Sequence, residues 1–467
     1  MKKLSIRNTF VIIGLILSCL LQSCNKLIDI PSSPPTKITS SQVFADSAST
    51  MGAVAGVYNN FGLTSFASTS IGSGLITEIT GLSADELIGS GYIGSLRYYS
   101  NNLLSNDGYC GQLWGDAYTN IYQMNACLEG IAGSNSLSVS LKDQLAGELE
   151  VVRSFYYFNM INVWGGVPLV TTSDFHTTEN LPRAVVADIY SRMVADLSDA
   201  MSRLKADYPS SGRHRPNLYT AAALLAKVYL YQGQWQKAAD LASQVIGSGL
   251  YQLTPDLNQV FLDGSGEAIW QLPAVGQSNQ TKEAVDFIPY DPTIVPDYSL
   301  SPYLLNAFEP NDKRRYSWLD SNVVTDNGLT EVYYYPYKYK NVSSSASPAE
   351  AYMMLRLGEL YLIRAEASAE LKDLTTAVAD LNVVRQRAGL ANTMAQTDTE
   401  VLAAIMHERQ VELFCEWGNR WFDLKRTGTI DAVLGAEKSW WKPYAALYPI
   451  PVSEVQLNSF LVQNTGY

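Results

Sequence analysis

The sequence predicts a mainly α-helical protein, built as a scaffold of antiparallel helical hairpins with a loop-rich insert. Two observations carry that reading. In the stretch Tyr219 to Gly249, Leu225, Val228, Tyr229 and Gln232 share one face at i, i+3, i+4 spacing. Gly233 breaks the run, and Ala238, Leu241, Ala242 and Val245 resume the same period. A second stretch, Arg356 to Gly389, repeats the plan: a helix carrying Tyr361, Ala365 and Ser368 turns at Leu371 to Asp373 into one carrying Ala377, Leu381 and Val384.

In both hairpins the small residues that permit close helix approach are twelve positions apart, Ala226 to Ala238 and Ala365 to Ala377. Tyr229 and Trp235 supply bulk beside the first pair. The pattern resembles a tetratricopeptide repeat, but the hairpins are separated by far more than the roughly 34 residues of a tandem array. Something substantial is therefore inserted between them.

The chain begins with Lys2, Lys3 and Arg7 before the apolar run Phe10 to Leu21. That run is too short for a helix of about 20 residues to span a bilayer, but it suits a signal-peptide core. Leu21-Gln22-Ser23-Cys24 resembles the bacterial lipobox, which makes residues 1–23 a lipoprotein signal and Cys24 the lipid anchor. Several acyl chains would make the attachment durable, because one chain alone binds only marginally. Residues 24–40, rich in Pro and Ser, read as a tether, and residues 41–467 as a single domain.

Cleavage before Cys24 would remove three basic residues and move the formal charge from −12 to −15. An acidic exterior argues against nucleic acid as a partner. Cys110, Cys127 and Cys415 remain; three thiols cannot form a disulfide framework, although a Cys110–Cys127 pair stays open.

Helical spacing predicts helices over Ser41 to Phe61, Leu113 to Ile131, Leu145 to Trp164 and Val185 to Leu204, so that the scaffold occupies about 112–250 and 351–430. Gly, Ser, Asn and Tyr dominate Gly62 to Gly111, which reads as loop. The insert, about 251–350, is rich in Pro, Asp, Asn and Tyr, with strand-like runs at Glu267 to Leu272 and Glu331 to Lys340. The two loop-rich regions, 62–111 and 251–350, are the expected binding surface.

Near the C-terminus HERQVELFCEWGNRWFDLKR places Glu408, Arg409, Glu412, Leu413, Glu416, Arg420, Trp421, Asp423, Leu424 and Arg426 in a pattern that resembles the SusD/RagB family of Bacteroidetes nutrient-binding lipoproteins. Pro449-Ile450-Pro451, Glu454, Gln463-Asn464 and Gly466-Tyr467 resemble its closing pattern. RSFYYFNMINVWGGVPLV resembles its first repeat helix and following strand, and Asp312-Lys313-Arg314-Arg315 its Asp-x-Arg-Arg turn. The resemblance implies a non-enzymatic glycan-binding protein of the outer membrane that passes its ligand to a SusC-like TonB-dependent transporter. The RagB branch implies a peptide ligand as the alternative. Asn25 to Asp29 lacks the acidic run often associated with surface export, which leaves outward and periplasmic display both open.

Catalytic motifs are weak. His407-Glu408 opens a zincin motif, but Val411 stands where the second histidine must be. Glu408, Glu412 and Glu416 could be read as glycosidase carboxylates, the third functional option. Their i, i+4 spacing stacks them on one helix with Arg409, Arg420 and Arg426 nearby, which favours an ion-pair network. No cofactor is expected; calcium stays open.

Sugar recognition needs flat aromatic faces for the C–H face of a pyranose, with amides, carboxylates or guanidinium groups for its hydroxyls. The candidates are Tyr92, Tyr98 and Tyr99 in the first loop region and Tyr290, Tyr298, Arg314 and Trp318 in the insert. Trp318 is the strongest: its neighbours in RRYSWLDSN are polar, and the surrounding insert has no continuous apolar face that would bury an indole. The alternating tyrosines Tyr333, Tyr335, Tyr337 and Tyr339 read as packing residues, and Trp440-Trp441 as ambiguous.

Overall fold

The computed structural model describes residues 39–61, 63–65, 68–69, 71–90, 93–276, 280–343 and 347–467. Cys24, the signal segment, most of the tether and Tyr92 lie outside the described residues. The principal helices are α1 (Ser47–Phe61), α2 (Leu75–Ser83), α3 (Ile93–Tyr99), α4 (Gly108–Gly133), α5 (Val139–Trp164), α6 (Val186–Arg203), α7 (Leu218–Tyr231), α8 (Trp235–Gly247), α9 (Pro302–Ala307), α10 (Leu357–Glu370), α11 (Leu374–Arg387), α12 (Asp398–Glu412), α13 (Asn419–Arg426) and α14 (Ile430–Glu437).

Both hairpins form as the periodicity predicts. Asn217 caps α7 reciprocally with Thr220, Gly233 turns the chain at φ 67°, and Ala226 and Ala238 are completely buried where α7 meets α8. In the second hairpin Lys372 takes the turn at φ 69°, Asp373 caps α11, and Ala365 and Ala377 are equally buried. Helices α5 to α8, α10 and α11 pack in series, so the two hairpins are neighbours in space although the insert separates them in sequence.

Helix α5 runs through the centre. From Gly147 to Trp164 every residue is buried, so its polar members need partners inside the protein. Arg153 pairs with Asp196 at 2.8 Å and donates to Asn125 Oδ1 at 2.6 Å, while Glu148 pairs with Arg215 at 2.7 Å.

The insert is closed at its base by two strands, Ala268–Pro273 (β2) and Ala351–Arg356 (β6), paired antiparallel; β6 runs directly into α10. Within it, Leu319–Asp326 (β4) and Leu329–Pro336 (β5) form a hairpin around Asn327-Gly328, both at positive φ, as a two-residue turn requires. Tyr335 and Tyr339 are buried, in keeping with packing roles.

Two expectations are corrected and one open alternative is closed. The region 62–111 is not simply loop: every residue of α2 is buried, and Leu87–Gly89 (β1) pairs antiparallel with Tyr298–Leu300 (β3) of the insert. Thr, Glu and Gly inside LITEITGLS hide the helix from a periodicity reading. The stretch Ser41 to Phe61 is divided at Phe44–Asp46, where Asp46 accepts hydrogen bonds from the Ala48 and Ser49 amides. Cys110 and Cys127 are both free: they lie 17 residues apart on α4, about 25 Å at 1.5 Å per residue, which rules out a bond between them.

Glu408 and Glu412 of α12 and Glu416 just beyond it belong to a buried ion network; one helix does not carry all three as expected, because α12 ends at Glu412 and the chain turns at Cys415 and Trp417, φ 48° and 50°. Arg356 pairs with Glu267 at 2.8 Å, Glu412 at 2.5 Å and Glu416 at 2.8 Å; Arg314 pairs with Glu408 at 2.6 Å, Glu412 at 2.9 Å and Asp312 at 2.8 Å; Lys338 reaches Glu416 at 2.5 Å. A structural network was expected, but with different cations. Arg420 instead pairs with Asp85 at 2.5 Å, and Arg409 and Arg426 share Asp423. The partners are supplied by the insert and by α10–α11, so the network clasps insert to scaffold. Burial would raise the carboxyl of Glu412, but Arg387, Arg356 and Arg314 hold it well below the usual range.

Candidate functional site

The aromatic candidates separate sharply. Trp318, expected as an exposed platform, is fully buried: its Nε1 donates to the Leu257 carbonyl at 2.9 Å, and its ring lies 4.6 Å from the Lys338 ammonium and 5.5 Å from the Arg387 guanidinium carbon. Its polar sequence neighbourhood signalled a buried ion network, onto whose cations the indole packs, and not a surface. Arg314 is likewise enclosed among Asp312, Glu408 and Glu412.

Tyr98 is also buried, its hydroxyl donating to Asp107 Oδ1 at 2.5 Å. Tyr298 is half-buried on β3, its hydroxyl 3.3 Å from Glu78. Tyr290 is 92% exposed, with no ring contact shown to another aromatic. Tyr98, Arg314 and Trp318 are buried and present no free face, Tyr298 is half-buried with its hydroxyl held at Glu78, and Tyr290 stands apart.

Tyr99 is different, because three distant segments converge on it. It ends α3; Asn101, at φ 51°, then turns the chain, and its Nδ2 donates to the Ser83 carbonyl at 2.9 Å. Lys438, just past α14, is buried beneath this turn. Its Nζ donates to the carbonyls of Leu82 and Ser83 at 2.8 and 3.0 Å and to Asn101 Oδ1 at 3.3 Å, and lies 5.0 Å from the Tyr99 ring centroid. The amino group thus satisfies the C-terminal carbonyls of α2, where the helix dipole favours a cation, while burial, partly offset by Asp85 and Glu437, pulls its pKa down to about 7.

With Lys438 pinned, Trp440 is delivered edge-on to Tyr99, ring centroids 5.8 Å apart and planes at 62°. Trp440 is 45% exposed, whereas Trp441 turns inward, its Nε1 donating to Asp431 at 2.9 Å and its ring 6.0 Å from that of Trp421. From α9, Tyr303 donates its hydroxyl to the Glu437 carbonyl at 3.1 Å and remains 44% exposed. Burial, and secondarily the neighbouring Tyr303 phenol, raise the Tyr99 hydroxyl above its usual range.

The result is an open surface of three part-exposed rings, Tyr99, Tyr303 and Trp440, on a base held by buried hydrogen bonds. Beneath it Arg420 and Asp85 are paired, and burial followed by the Asp85 charge pushes the Glu437 carboxyl up to about 7. Only Tyr99 was among the sequence candidates. The signal for Trp440 was two adjacent indoles in the polar stretch EKSWWK; Tyr303 carries no local signal.

Among the described residues no group of three or more His, Cys, Asp or Glu side chains is placed to hold a metal ion. His407 Nε2 lies 2.8 Å from the Ala307 carbonyl oxygen. A pocket of ≈ 410 Å³ lies elsewhere, between α1 and β2, but its walls are Met51, Val54, Ala55, Leu272 and Pro273 with Tyr58, Asn59, His214 and Arg215. Tyr58, its hydroxyl tied to Glu148, is the one tyrosine in this pocket, where the open surface offers three aromatic rings.

Comparison with known proteins fits this architecture. Residues 231–467 match the SusD family model, and residues 76–230 match a family described as starch-binding and associating with the outer membrane. The chain belongs to the SusD family. It is 26% identical to SusD-like protein P25 of Formosa agariphila, over 76% of this chain and 79% of that one, and 24% identical to starch-binding protein SusD of Bacteroides thetaiotaomicron, over 68% and 72%. Among solved structures, a SusD superfamily protein from Bacteroides vulgatus superposes with a TM-score of 0.80 at 19% identity, covering 91% of this chain and 100% of that one. A laminarin-binding SusD-like protein gives 0.75 at 23% identity, covering 90% and 100%.

Proposed function

We propose that this protein is a glycan-binding lipoprotein, anchored by Cys24 on the cell-surface side of the outer membrane, that captures oligo- or polysaccharide and delivers it to a partner SusC-like TonB-dependent transporter. The observation that carries the reading is the convergence of Tyr99, Tyr303 and Trp440 on one open, part-exposed surface. Such rings can stack on the apolar faces of successive sugars while the carbohydrate hydroxyls stay in water. An open platform also suits a polymer that passes through.

Family membership supports the ligand class, since two relatives are named for starch and laminarin binding. The non-catalytic reading rests on three carboxylates: Glu408 and Glu412 of α12 and Glu416 just beyond it are all committed to buried cations, which removes the obvious acid and base. Among the described residues no helix is long and apolar enough to cross a membrane; the assignment of attachment to a lipid on Cys24 rests on the lipobox-like Leu21-Gln22-Ser23-Cys24. The test is a binding screen of the purified protein on arrayed polysaccharides, including starch and laminarin, beside a peptide library. Saturable binding to one glycan class supports the reading. Binding confined to peptides overturns it, and release of reducing ends from a bound glycan overturns its non-catalytic part.

A further inference from the structure

A second pocket, of ≈ 380 Å³, lies where α4, the segment 168–181 and the C-terminal segment meet. Its aromatic wall is Trp114 and Tyr118, ring centroids 5.1 Å apart, with the Tyr118 hydroxyl donating at 2.9 Å to the carbonyl of Pro168, which also lines the pocket. Its rim is apolar and exposed: Phe175 at 63% and Leu457 at 82%. Phe460 and Val462 extend that exposed apolar surface along the C-terminal segment. Large apolar side chains left in water beside a pocket mark surfaces that another protein covers.

Two carboxylates, Glu179 and Glu454, also line this pocket. No hydrogen bond or ion pair is shown for either carboxylate among the described residues. The nearby cation, Arg183, is already engaged: it donates to the carbonyls of Gly166, Trp164 and Val462 and to Asn464 Oδ1. Aromatic faces with unpaired carboxylates attract a cation, and the apolar rim favours one carried on a hydrocarbon stem. The formal charge of −12 over the whole chain adds the same preference for a basic partner.

We propose that this pocket is a docking site for a protein partner, which inserts a lysine side chain between Glu179 and Glu454 with its methylenes along Phe175 and Leu457. The site is built from other residues than the Tyr99–Tyr303–Trp440 surface and does not depend on what that surface binds. A hydroxyl-rich amino sugar shares the ammonium but not the stem, and the test separates the two.

The experiment titrates full-length protein, carrying 13C-methyl leucine, with three probes: Nα-acetyl-lysine-N-methylamide, its norleucine counterpart, and glucosamine. The methyl resonances of Leu457 and Leu461 report on the pocket. Saturable shifts are expected from the lysine probe, with the norleucine probe and glucosamine each at least tenfold weaker. In the double variant Glu179→Gln, Glu454→Gln the advantage of lysine over norleucine should vanish, with the melting temperature unchanged. No saturable shift from the lysine probe, equal binding of lysine and norleucine, glucosamine binding as tightly as lysine, or an undiminished advantage in the double variant would each overturn the proposal.

Discussion

Trp440 stands edge-on to Tyr99 at 5.8 Å although 341 positions separate them in the chain, and the link is the buried Lys438, which ties the end of α2 to the end of α14. The platform is therefore a tertiary feature, and its rigidity comes from hydrogen bonds beneath it and not from the rings themselves. That separation of roles makes binding and stability independently testable.

Trp318→Ala should act on the fold alone. The indole is buried against Phe261, Phe414 and the cations of the ion network, so its removal is expected to cost about 3–5 kcal/mol in unfolding free energy. Chemical denaturation measures this, and glycan affinity of the folded variant should equal that of the wild type. A loss of affinity without loss of stability would restore Trp318 to the binding site.

Arg356→Met tests the clasp between insert and scaffold. The guanidinium pairs with Glu267, Glu412 and Glu416, all buried, and removing it leaves those charges under-compensated at a cost of about 3–5 kcal/mol. A variant as stable as the wild type in urea would show that Lys338, Arg314 and Arg387 suffice without it.

Glu86 gives a pH signature. Burial, then the neighbouring Asp85 charge, pushes its carboxyl up to about 8, although its Oε1 accepts a hydrogen bond from the Cys415 amide at 3.1 Å. Between the ordinary value of 4.5 and about 8 the folded protein holds a proton that the unfolded chain has released. The stability contribution is thus fully present below 4.5 and is lost as pH rises through about 8. Glu86→Gln should flatten the decline of stability with pH across this window, by at most about 1.4 kcal/mol per pH unit for one group. Parallel wild-type and variant profiles from denaturation at stepped pH would contradict the assignment.

Cys24→Ala tests the anchor that the proposed function requires. The variant should leave the outer-membrane fraction under a wash that strips peripheral proteins, with its melting temperature unchanged. Membrane retention equal to the wild type would place the attachment elsewhere.

The sequence was most legible where one physical pattern acted alone. The hairpins around Gly233 and Lys372 show uninterrupted helical periodicity, and the alanines at their contacts are buried where the spacing puts them. Helix α2 was illegible because Glu78 sits inside its buried stretch, where the nearest cation is Lys282, a residue more than 200 positions away at 3.4 Å, and burial still holds its carboxyl well above the usual range. The same non-locality defeated the reading of Trp318, whose polar neighbours find distant partners: Arg314 meets Glu408 and Glu412 of α12, Arg315 the Leu305 carbonyl, and Asn322 the carbonyls of Asp291 and Ile294. Tyr99 was legible as an aromatic in a Gly-rich region. Tyr303 and Trp440 join it only after β1 pairs with β3 and Lys438 docks on α2, pairings that no local pattern announces.

The most direct test of the platform is calorimetric titration of Trp440→Ala with the glycan selected by the array. Loss of a stacking ring should weaken binding tenfold to a hundredfold, about 1–3 kcal/mol, while the melting temperature stays close to that of the wild type because nearly half of the side chain already faces water. Undiminished affinity in a well-folded Trp440→Ala protein would contradict the assignment of the Tyr99–Tyr303–Trp440 surface as the glycan site.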